Sequence, residues 1–182
     1  MRKLTSLLLV IVGLAFPFVV YFGMDKVAPP VFAMVLGSIW LIRAPWLIRE
    51  PGGWWMVVVS LAYCAILGFS GESALLRWYP TLISLLLLSA FGLSLVYGPP
   101  LVERIARVRE PDLPPQAIPY TRRVTQVWVG FFIFNAAMSA GLTLWGPLSW
   151  WTIYNGLLVH FIIGTLLVGE FLMRQRMRRR FA

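Results

Sequence analysis

Apolar residues in this chain run in long blocks rather than in the spaced pattern of a helix with one wet face. Six blocks approach or exceed the about 20 residues a helix needs to cross a hydrocarbon core. They cover 4–24, 30–48, 54–69, 78–97, 124–145 and 151–173. The pattern predicts an all-α polytopic membrane protein of about six transmembrane helices, folded as one integral membrane domain over 1–182. The second block carries Arg43 and Pro45 near its end, so a kink or an interfacial segment is expected there. The longest connection is 98–123, and a basic tail occupies 174–182. Connections this short predict that neighbouring spans pack antiparallel.

Composition agrees. The chain is 59% hydrophobic and only 13% charged, which leaves too little polar surface for a soluble domain of 182 residues. The charge distribution adds orientation. With six spans, fourteen of the 16 Lys and Arg residues share one side, and only Lys26 and Arg77 lie on the other. The positive-inside rule then predicts that both termini are cytoplasmic. The apolar stretch continues past Ala15 to Phe22, which suits an uncleaved anchor; cleavage of a signal peptide would leave five spans. The nine tryptophans fall near expected span ends, where indole rings prefer the headgroup level.

Polar residues inside the spans concentrate in the last hairpin. Asn135 lies near the centre of the fifth block, with Ser139 about 40° away on the same helical face. His160 lies near the centre of the sixth block, Asn155 toward one end and Glu170 toward the other. Intramembrane polar and ionisable groups are costly, so Asn135, Asn155, His160 and Glu170 form a candidate intramembrane site. Each also has a structural reading: a cross-helix hydrogen bond for Asn135, a packed imidazole for His160, and an ion pair with Arg174 for Glu170. At about 100° per residue Asn155 and Glu170 fall about 60° apart, and His160 about 140° from Asn155, which is not one continuous polar track. Small residues recur at a spacing of four in Ser60, Cys64 and Gly68, in Ala33 and Gly37, and in Ala137 and Gly141. Such stripes predict close helix packing, inside one chain or in a homo-oligomer.

The connection 98–123 opens with two prolines and then places Leu101, Val102, Ile105 and Val108 on one helical face, beside Arg104 and Arg107. This predicts a short amphipathic helix on the cytoplasmic membrane surface. The tail residues Arg174, Arg176, Arg178, Arg179 and Arg180 are expected to contact anionic lipid. The tail has neither a folded basic surface nor the interleaved aromatics that single-stranded nucleic acid requires, so no nucleic-acid partner is expected. There is no phosphate-binding glycine loop, no HExxH and no CxxC, and a single His and a single Cys cannot build a multi-ligand metal site in one chain. No catalytic residue, metal or cofactor is expected.

From Trp78 onward the chain resembles the intracellular septation protein A family of bacterial inner-membrane proteins. The resemblance rests on the block 78–97, on Pro100-Leu101-Val102-Glu103-Arg104, on Val127-Trp128-Val129-Gly130-Phe131-Phe132 and on Trp151-Thr152-Ile153-Tyr154. It covers about half the chain, to Met173, and is closer to an uncharacterised sister group of that family. It implies a non-enzymatic protein that supports cell-envelope integrity or septum formation through contacts with envelope or division proteins. The sister group implies a rival role, a transporter or flippase-like protein for a lipid or polyene intermediate.

Overall fold

A computed structural model describes residues 2–49, 53–115 and 117–181, without the side chains of 2–12, 109 and 177–181. The described residues form helices and turns and no strand. Eight α-helices follow one another: α1 (Arg2–Gly23), α2 (Pro29–Leu47), α3 (Gly53–Ser70), α4 (Tyr79–Val96), α5 (Leu101–Arg109), α6 (Ala117–Trp145), α7 (Leu148–Ile153) and α8 (Val159–Phe181). A 3-10 turn, Ser73–Trp78, leads into α4, and a π-helical turn, Tyr154–Leu158, joins α7 to α8.

Five helical stretches among the described residues are long and apolar enough to cross a membrane. They are α2, α3, the 3-10 turn with α4, α6, and α7 running into α8. The chain is an all-α multi-pass membrane protein. α1 covers the first predicted block, and the part of it with described side chains, Gly13–Gly23, is a shorter apolar helix.

The sequence explains where the helices start and stop. Pro29 and Pro30 occupy the first turn of α2, and Pro80 that of α4, where a missing N–H costs nothing. Gly71 (φ 64°) and Gly98 (φ 89°) end α3 and α4 in the left-handed region, which other residues adopt at a steric cost. Pro45 does not stop α2, which runs on to Leu47. α6 begins at Ala117, within the expected connection 98–123, and buries Thr121 there. The tail continues α8 as a helix to Phe181.

Two antiparallel pairs, α2 with α3 and α4 with α6, make the most extensive contacts. In the first pair the small-residue stripes meet. A Cβ on Gly68 would stand 3.4 Å from Ala33 Cβ, and one on Gly37 would stand 3.8 Å from Cys64 Cβ. That stripe serves internal packing. The pair Ala137 and Gly141 behaves differently: Ala137 is exposed, and a Cβ on Gly141 would meet only the Trp145 ring of its own helix. Among the described residues α1 makes its main contacts with α7 and the π-turn, and Phe16 and Val20 share a core cluster with Phe32, Ala33 and Leu36 of α2. Trp40 and Trp151 are buried in the core and donate to Tyr79 Oη (3.2 Å) and the Arg77 carbonyl (3.0 Å). A packed indole whose N–H has a partner is as well placed in the bundle as at the headgroups.

Candidate functional site

The polar residues of the last hairpin do not gather into one site. Asn135 projects from α6 into the interface with α4. Its Nδ2 donates to Ser84 Oγ at 2.8 Å, and its Oδ1 accepts from Tyr154 Oη at 3.0 Å. Ser84 in turn donates to the Pro80 carbonyl. One side chain thus links α4, α6 and the π-turn, which is the cross-helix bonding expected of an amide in a bilayer. Ser139, one turn along α6, is fully buried but its hydroxyl does not join the network.

Asn155 is buried in the π-turn. Its Nδ2 donates back to the Trp151 carbonyl at 2.9 Å, and its Oδ1 has no partner. The wide turn occurs where Gly156 meets Phe18 of α1: a Cβ on Gly156 would stand 2.7 Å from the Phe18 ring. π-turns inside α-helices are frequent at functional sites. His160 follows one turn later, half-buried, interacting with the Gly156 backbone while its Nδ1 makes no hydrogen bond of normal geometry. Glu170 lies about 15 Å further along the helix. There it pairs with Arg174 at 3.6 Å, and its carbonyl accepts from Tyr120 Oη at 3.1 Å. The candidate set therefore divides into a bonded amide, one group inside a π-turn with another just beyond it, and an ion pair nearer the helix end.

The predicted amphipathic helix is α5. Its first N–H, that of Leu101, donates to Ser94 Oγ of α4 at 2.9 Å, which supplies the cap that Pro100 cannot. Glu103 is buried, and Arg107 holds its Oε1 with two donors at 2.9 and 2.7 Å. Arg104 Nε donates to the Pro99 carbonyl. The predicted apolar face splits: Leu101 and Val102 are half-buried, while Ile105 and Val108 are 56% and 84% exposed. In the tail, Arg174 is half-buried and Arg176 exposed; the side chains of Arg178, Arg179 and Arg180 lie outside the described residues.

Two arginines counted for their charge in the sequence, Arg77 and Arg122, cap helices. Arg77 Nη2 donates at 2.7 Å to the carbonyls of both Leu142 and Gly146 at the end of α6. Arg122 donates to the Leu95 carbonyl near the end of α4. The last four carbonyls of a helix lack intrahelical partners and carry partial negative charge, so a guanidinium there is doubly favourable. The Arg77 carbonyl also accepts from Thr143 Oγ1 and Trp151 Nε1, which makes this residue the main polar junction at its end of the bundle.

Among the described residues no group of three His, Cys, Asp or Glu side chains is gathered. Comparison with protein-family models, curated proteins and solved structures finds no match to the chain.

Proposed function

We propose that this chain is a non-catalytic protein of the bacterial inner membrane that supports envelope assembly or septum formation by holding α5 at the cytoplasmic surface. There α5 contacts anionic lipid and partner proteins. The observation that carries this reading is the exposure of Ile105 and Val108 on a helix whose first N–H is held by Ser94 of α4. Exposed apolar residues beside Arg104 and Arg107 suit the boundary between headgroups and acyl chains. The bundle's central amide, Asn135, is engaged with Ser84 and Tyr154, which favours a packed interior over a transport path. The arginine asymmetry and the resemblance to the septation family point the same way.

Complementation of a deletion strain tests the reading. Ile105→Ser with Val108→Ser is expected to insert normally and fail to restore envelope integrity. His160→Ala with Glu170→Ala is expected to restore it. The reverse pattern would support the second reading, a transporter or flippase-like protein for a lipid or polyene intermediate. That reading draws on the buried, unpartnered Asn155 Oδ1 at the π-turn.

A further inference from the structure

α1 and α2 are joined by the short turn 24–28, yet among the described residues they share few backbone contacts. They meet at the turn, where a Cβ on Gly23 would lie 3.4 Å from the Phe32 ring. Beyond it α1 goes to α7 and the π-turn, while α2 goes to α3. Between them runs a groove of about 270 Å³. Its floor includes Phe16 and Leu36, its walls include Val19, Val31 and Val35, and Val27 stands at its head. The lining presents only carbon. From Val31 to Ile39 the groove follows the α2 axis for about 12 Å. That is most of the depth of one leaflet in a hydrocarbon core roughly 30 Å thick. Next to Val27 in the chain, the turn exposes Asp25 and Lys26.

We infer that the groove seats one acyl chain of a zwitterionic phospholipid whose headgroup is held by the turn. The Lys26 ammonium faces the lipid phosphate, and the Asp25 carboxylate faces a primary amine. An anionic headgroup without an amine would satisfy Lys26 and be repelled by Asp25, so the pair selects for a lipid carrying both charges. With the turn on the non-cytoplasmic side, this lipid belongs to the outer leaflet. The seat is independent of α5.

The test uses the full chain in nanodiscs of equal phosphatidylethanolamine and phosphatidylglycerol, released into mild detergent and read by native mass spectrometry. One phosphatidylethanolamine is expected to stay with each chain. Val31→Phe with Val35→Phe fills the groove and is expected to abolish retention, while Val58→Phe on the exposed face of α3 leaves it unchanged. Asp25→Asn with Lys26→Gln, in an exposed turn whose side chains do not hold the fold together, is expected to lower retention about tenfold. This variant keeps the test decisive if the filled groove prevents insertion. Retention that survives either change overturns the seat. Phosphatidylglycerol held as well as phosphatidylethanolamine overturns the headgroup assignment.

Discussion

Asn135 of α6 donates to Ser84 of α4 at 2.8 Å, and Asn135 also accepts from Tyr154. Asn135→Ala therefore breaks two bonds and leaves a buried phenol without its acceptor. A loss of about 1–2 kcal/mol in bundle stability is expected. Ser84→Ala removes one bond and should cost less. Because the two residues act through one contact, the double variant should cost about as much as Asn135→Ala alone. Reversible unfolding in bicelles measures this, and strictly additive costs would show that the contact is not formed.

Gly68 and Ala33 set the spacing of α2 and α3. With 3.4 Å available to a new Cβ, Gly68→Ala should change stability by less than about 0.5 kcal/mol, whereas Gly68→Leu should force the helices apart at about 1–3 kcal/mol. Cys64, the only cysteine, is buried in the same interface and reports on it. A membrane-permeant maleimide should label it slowly in the native chain and in Gly68→Ala, and several-fold faster in Gly68→Leu.

Arg77 holds two carbonyls at the end of α6 with one nitrogen. Arg77→Met keeps the length of the side chain and removes the donors. About 2–3 kcal/mol should be lost, since hydrogen bonds from a charged donor lie at the upper end of the usual range. Arg77→Lys should recover only part of this, because an ammonium on a flexible stem does not reproduce the fixed guanidinium geometry. Faster hydrogen exchange around 142–146 would locate the damage. Unchanged exchange there would mean that the cap contributes nothing.

Residue types alone made the helical membrane architecture legible, because continuous apolar blocks leave few alternatives. The α5 helix was legible from its spacing, and the Ser60–Cys64–Gly68 stripe from its small side chains. Arg77 and Arg122 were read for charge and missed as caps, because the carbonyls they hold belong to helices distant in sequence. The π-turn was missed because the close approach of Phe18 to Gly156 that accompanies it is a tertiary contact that no local pattern records. The polar residues of the last hairpin were visible one by one. Their separation into a bonded amide, one group inside a π-turn with another just beyond it, and an ion pair nearer the helix end depends on which neighbours the fold supplies.

Glu103 and Arg107 make the last prediction asymmetric. The Glu103 side chain is 6% exposed and that of Arg107 40%, so the two partners do not share the burden equally. Arg107→Ala leaves a buried carboxylate without its partner, which is the expensive way to break such a pair. Because Arg107 is partly solvated, the cost is discounted to about 1–2 kcal/mol. Glu103→Gln keeps the shape and removes the charge, and should cost less than about 1 kcal/mol. Adding Glu103→Gln to Arg107→Ala should restore most of what Arg107→Ala loses. The readout is local, since α5 is held by few elements: thermolysin should cut within 101–115 fastest in Arg107→Ala and near the native rate in the double variant. Equal cleavage of the two single variants would mean that the carboxylate does not need its arginine, and that Ser94 and the contacts with α6 alone keep α5 in place.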